Sequence, residues 1–244
     1  MGKNRSGRPL EGPSLNPTRF YGRRKGHRLS ARKESLLREV FPKIRIDLDA
    51  TNLPLDPQFL FNFRPKEIWL EVGFGGGEHI AYQSQANPDI GIIGVEPFLN
   101  GLVSLVDEIQ NKNLKNIRIF DKEISILLER LKPNSLSKVF LLFPDPWPKK
   151  KHLKRRILNH YFLDKMNHLM LEGGEFRFSS DDARYARLVV ELASIREDFS
   201  WCPKSCRDWQ LRPECSIETR YERKAIQHGR KNTYINLRKT TTLQ

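Results

Sequence analysis

Asp145 lies between two prolines in Phe143-Pro144-Asp145-Pro146-Trp147-Pro148-Lys149-Lys150-Lys151. An apolar run from Val139 to Phe143 leads into it, and six cations fall within the eight residues Lys149 to Arg156. Proline fixes φ and donates no hydrogen bond, so Pro144, Pro146 and Pro148 end a strand and hold the turn in few conformations. A carboxylate and an indole on a stiff turn beside a cation cluster suit a planar, polyanionic ligand. The plainer alternative is a proline-rich turn with a solvated basic helix start.

More carboxylates stand where strands should end. Glu71 lies in the apolar run Ile68 to Val72, and Gly73-Phe74-Gly75-Gly76-Gly77-Glu78 follows. Glycines at a strand-to-helix turn permit positive φ and let a ligand approach the backbone. A phosphate-binding loop would end in Gly-Lys-Ser/Thr, and this one does not. A dinucleotide fingerprint needs G-x-G-x-x-G; here Gly73-x-Gly75-x-Gly77 is too short and Glu78 is badly placed beside a pyrophosphate. A cationic or neutral nucleoside such as S-adenosylmethionine fits better, with Glu71 ahead of the turn. Glu96 ends the next apolar run and could accept both ribose hydroxyls. Either Asp121 or Glu123 could meet the adenine edge after the third run. Glu123 is preferred because it directly precedes a helix. A helix-start preference for acids explains each one singly, but less readily all three at successive strand ends.

The elements that must position these groups alternate. Strands are expected at Ile68–Val72, Ile90–Val95, Asn116–Phe120, Ser137–Phe143 and Glu175–Ser179. Helices are expected at 79–86, from Pro97 onward with Leu102, Leu105, Val106 and Ile109 on one face, at 124–131, through 157–169, and with Tyr185, Leu188, Val189, Leu192 and Ile195. Leu171 to Gly174 reads as a turn. Phe199–Trp209 and Tyr234–Leu237 read as antiparallel strands closing the sheet, with Thr219 to Lys224 in a long polar connection between them. Alternating strands and helices define an α/β fold with a mostly parallel sheet.

The 244 residues suit one such domain with extensions. Residues 1–33 carry ten Lys/Arg and one acid, Glu11, and read as a flexible basic arm; residues 34–66 should form a short helix and a linker, and 67–244 the main domain. The whole chain holds 43 Lys+Arg against 29 Asp+Glu, a net +14, which points to a polyanionic partner: nucleic acid or an anionic membrane surface. No run of about 18 apolar residues could span a bilayer, and the basic N-terminus lacks the apolar stretch of a signal peptide. A cytoplasmic location is expected. Cys202, Cys206 and Cys215 read as free thiols; zinc would need a fourth ligand such as His228, and no metal site is expected.

Taken together, Leu70-Glu71-Val72-Gly73-Phe74-Gly75-Gly76-Gly77, Gly94-Val95-Glu96, the block from Phe143 to Arg156, Ser180-Asp181 and Thr219-x-x-Glu222 resemble the bacterial tRNA (guanine-N7-)-methyltransferase family. The Phe-Pro-Asp-Pro-Trp-x-Lys block is the specific part. The resemblance covers about Glu67 to the C-terminus and excludes the basic arm. It implies a class I S-adenosylmethionine-dependent methyltransferase (Rossmann-like) fold, seven strands with an antiparallel edge strand, and N7 of a guanine in the tRNA variable loop as acceptor. It implies no obligate protein partner. By position it implies cofactor contacts at Glu71, Gly73, Glu96, Glu123 and Asp145, with Asp145 at the methyl-transfer centre. Substrate contacts fall on Lys149, Asp181, Thr219, Arg220, Tyr221 and Glu222. The chain departs from many relatives at Asp121-Lys122-Glu123-Ile124, where they have Asp-Ala. Trp147 could stack on a splayed base or fill the core. Two other readings remain: a methyltransferase of another RNA or of a small amine, and a non-catalytic basic RNA-binding module.

Overall fold

The computed structural model describes residues 21–50 and 53–240. Strands β1 (Ile68–Val72) and β2 (Gly91–Val95) are buried along their whole length, as parallel strands covered on both faces must be. Helices α2 (Glu78–Ala86) and α3 (Leu99–Lys112) follow them, then β3 (Ile117–Phe120), α4 (Ile124–Leu128) and β4 (Leu136–Leu142). A 3-10 helix at Lys150–Arg155 precedes α5 (His160–Leu169), which Asn159 caps by accepting from Phe162 N–H, and β5 (Met170–Ser180). Next come α6 (Ala183–Ser194), the two-residue β6 (Phe199–Ser200), α7 (Arg207–Gln210), α8 (Arg220–Gln227) and β7 (Thr233–Lys239). Ahead of them all lies α1 (Ala31–Glu39).

The seven strands run in the order β3-β2-β1-β4-β5-β7-β6. The first five pair in parallel, and β7 runs antiparallel to both β5 and β6. Alternation along each strand divides the core. Leu70, Val72, Ile93, Val95, Val139 and Leu141 pack toward α4, α5 and α6; Trp69, Ile92, Ile119 and Phe140 pack toward α1, α2 and α3. The chain leaves β1 toward β2 on one side and resumes on the other at β4. A crevice therefore opens at the carboxyl ends of β1, β2 and β4.

Four expectations change. Helix α1 starts at Ala31, capped by Ser30, and residues 24–27 bond to the start of α3, so the arm's last third lies against the domain. Its residues 1–20 lie outside the described ones. The expected turn at Leu171–Gly174 is a bulge within β5: Leu136 pairs with Met170 but Lys138 with Glu175, and Gly173 takes φ +72. Of 199–209 only Phe199 and Ser200 pair with β7, and Trp209 sits on α7, edge to face with Trp201. The polar stretch from Thr219 is no loop: Thr219 caps α8 by accepting from Glu222 N–H.

Candidate active site

The crevice is a cleft of about 640 Å³, a nucleoside-sized volume. Val72 and Gly73 at the end of β1, Val95 and Glu96 at the end of β2, and Leu141 and Leu142 of β4 form its floor. Pro97, Phe98 and Ile124 add apolar wall, and Glu123, Asp145, Trp147, Arg155 and Tyr221 complete it.

Glu96 is buried and accepts two backbone bonds, from Gly75 N–H at 2.8 Å and Phe98 N–H at 2.9 Å. Burial pushes its carboxyl up to about 7; the two N–H groups oppose the shift, and the charge of Asp145 adds to it. Gly73 takes φ +71, and nothing lies within 4 Å of where a Cβ would stand, so its outer side is open to a ligand. Glu123 lies in the wall and pairs with Arg24 at 2.8 Å. Asp121 instead pairs with Arg45 at 3.2 Å and lies outside the lining, so Glu123 is the acid this cleft presents after β3.

Asp145 stands open at the cleft's edge, yet the protein around it still raises its carboxyl above the usual aspartate range. The backbone on either side is strained. Phe143 takes φ +50 and Trp147 φ +43, a region that bulky residues enter at a cost of order 1–3 kcal/mol. Phe143 N–H bonds to Ser179 O at 2.8 Å, and Arg156 Nε bonds to Pro146 O at 2.7 Å, anchoring the turn at both ends. Trp147 is half-buried in the cleft wall, outside both hydrophobic clusters, so it is not core filler.

The structure does not bring every expected residue here. Glu71 is 3% exposed and lies outside the lining; its carboxylate meets His79 Nδ1 at 2.7 Å beneath α2. Alternation along β1 explains this, since Val72 and Glu71 point to opposite faces of the sheet. Asp181, just past β5, pairs with Arg230 at 2.9 Å and is not in the lining. Glu222 is 2% exposed, and its Oε1 accepts from Arg212 Nε at 2.9 Å and from Tyr234 OH at 2.5 Å. Of the 219–222 segment, only Tyr221 reaches the cleft, where its ring covers Gly75; Arg220 lies over Gly76 and pairs with Glu78.

Lys149, Lys150, Lys151 and Lys154 are exposed beside the cleft's proline turn. The other two cations of that run are engaged: Arg156 is buried over the Tyr185 ring, and Arg155 lies between Tyr21 and Trp147. Tyr21, Gly22 and Arg23 are wall residues that sequence reasoning did not single out, and Arg155, expected to face a polyanion with the rest of its cation run, stands in the wall with them. An aromatic at position 21 within a basic arm was the available signal. Among the described residues no three His, Cys, Asp or Glu side chains group as metal ligands, and no helix is long and apolar enough to cross a membrane.

Among solved structures, the 16S rRNA methyltransferase KamB matches with a TM-score of 0.52 at 16% identity, over 72% of this chain and 89% of that one, a likeness of fold. Sheet order and cleft position define a class I methyltransferase fold. A family model described as a putative methyltransferase matches residues 65–235. The tRNA (guanine-N(7)-)-methyltransferase of Rhodospirillum rubrum is 40% identical over 223 residues, 91% of this chain and 88% of that protein. That of Zymomonas mobilis is 40% identical over 226 residues, 92% and 96% of the two chains. The chain belongs to the tRNA (guanine-N(7)-)-methyltransferase family.

Proposed function

We propose that the chain transfers the methyl group of S-adenosyl-L-methionine to N7 of a guanine in the variable loop of tRNA, in the cytoplasm. One observation carries this reading: Glu96, Glu123 and Asp145 line a single apolar-walled cleft, with Trp147 in its wall. A nucleoside that carries an ammonium and a sulfonium suits three carboxylates. When bound, it supplies a methyl group activated by the sulfonium charge. Glu96 would accept the ribose hydroxyls through the lone pairs that Gly75 and Phe98 leave open. Glu123 would turn from Arg24 to the adenine edge, and Gly73 would let the ligand lie against the backbone.

Guanine N7 presents an in-plane lone pair and has no proton to lose. The reaction needs no general base, only alignment at about 3 Å and exclusion of water. Asp145 sits where positive charge passes to the purine, and a fixed anion there stabilises the transition state. Trp147 would stack on the extruded base. Asp181 would serve the Watson–Crick edge once it leaves Arg230, whereas Glu222 and Thr219, buried away from the cleft, would act by holding α8 and so Tyr221 in place. Tyr221 is the member of the 219–222 segment already on the wall, with Arg220 beside it. Lys149 would reach the substrate nucleotide, and the lysines after it the RNA backbone. Glu71 would act from below, by holding His79 and α2. A module that only held RNA would need the cations and not the carboxylates.

The test is to incubate purified protein with methyl-labelled S-adenosylmethionine and bulk tRNA, then digest the tRNA to nucleosides. Label in 7-methylguanosine is expected. Label confined to any other nucleoside, or none at all, would overturn the reading.

A further inference from the structure

Tyr21 lies outside the segment that the family model matches, yet it forms part of the cleft wall. Its ring meets Trp147 edge to face at 6.3 Å. The Arg155 guanidinium stands 5.0 Å from the Tyr21 centroid and 4.8 Å from that of Trp147. Among the described residues Arg155 has no carboxylate partner, so its charge is held by ring faces alone. Tyr21 remains 41% exposed. Two rings and an unpaired guanidinium thus share the wall that holds Asp145.

This arrangement is built at both ends. Trp147 is held at φ +43 by the proline turn, a backbone cost that packing in the core would not require. Tyr21 is placed by the residues after it: Leu99 N–H bonds to Arg24 O at 2.9 Å, and Gly26 N–H to Asn100 Oδ1 at 2.7 Å. Arg24 also pairs with Glu123 across the cleft wall. Aromatic faces and guanidinium planes are the surfaces on which unstacked RNA bases are held.

We propose that Tyr21 is a substrate-binding residue. With Trp147 and Arg155 it forms a stacking seat for a nucleobase extruded from the tRNA, so the N-terminal segment completes the wall that Asp145 begins. This rests on the reading that the cleft takes a tRNA guanine. A ring face accepts any base, so the seat adds affinity and alignment rather than choice of base.

Steady-state kinetics of the full chain on tRNA, with calorimetry, test the seat. Tyr21→Ala lowers kcat/KM by about 5- to 150-fold, while Tyr21→Phe stays within about twofold of wild type. S-adenosylmethionine affinity is unchanged in both. The slope of log tRNA affinity against log salt is also unchanged, because stacking releases no counterion. Wild-type kcat/KM in Tyr21→Ala overturns the seat. So does a loss that Tyr21→Phe shares, or one that comes with weaker S-adenosylmethionine binding or a flatter salt slope, the signs of a segment merely undocked. Wild-type protein that leaves tRNA unmethylated sinks the functional reading instead, so the two failures are distinct.

Discussion

The backbone N–H of Gly75 donates to Glu96 Oε2 at 2.8 Å, so the turn after β1 fixes the carboxylate at the end of β2. Gly75 takes φ +56, and an added Cβ would stand 2.6 Å from Cε2 of Tyr221. Residues 75, 96 and 221 therefore act as one unit. Gly75→Ala should cost about 1–3 kcal/mol through backbone strain. It should also weaken S-adenosylmethionine binding about tenfold or more as Glu96 loses a charge-assisted donor. Gly76→Ala meets only the mobile end of Arg220 and should stay within about 0.5 kcal/mol of wild type. Thermal melts and calorimetry compare the two; equal effects would break the proposed unit.

Glu96 also sets a pH dependence. Its carboxyl is pushed up to about 7 in the fold, against 4.5 without it. Between those values the folded state binds more protons than the unfolded one. The stability it contributes is full below about pH 4.5 and is lost as pH rises through 7. Ligand binding runs the opposite way, because only the ionised carboxylate offers all its lone pairs to ribose hydroxyls. S-adenosylmethionine affinity should fall about tenfold from pH 8 to pH 6. In Glu96→Gln the dependence should flatten, and a wild-type profile in that variant would refute the assignment.

The basic run divides into two kinds of residue. Lys150, Lys151 and Lys154 are exposed, so replacing them with alanine should lower the salt slope of tRNA binding by about 0.7–0.9 for each phosphate they neutralise. Arg156 is buried, bonded to Pro146 O and stacked on Tyr185. Arg156→Ala should lower the melting temperature without changing that slope. Filter binding across a salt series, with a melt of each variant, checks both halves.

The strands were legible because parallel strands buried on both faces read as unbroken apolar runs, and β1 matches the expected Ile68–Val72. The same continuity hid which face Glu71 takes, since apolar neighbours on both sides carry no alternation. Helix α8 was missed because its buried positions are Glu222 and Ala225, not an apolar stripe. Its carboxylate is held by Arg212 and Tyr234, partners that spacing does not announce. The docking of residues 24–27 on α3 escaped for a similar reason: it is made of backbone groups and Asn100, inside a segment whose composition suggests a free tail. Asp145 and Glu96 were readable because each follows a strand at the switch point, where fold topology alone opens a cleft.

Asp145 carries the central claim, and a paired measurement on one variant tests it most directly. Single-turnover methyl transfer to tRNA should fall about 10²- to 10³-fold in Asp145→Ala, the usual loss when one preorganised electrostatic group is removed. Binding of tRNA to the same variant should survive largely intact. Transfer at the wild-type rate, or a loss of tRNA binding that alone accounts for the lost transfer, would contradict the placement of Asp145 at the reacting centre.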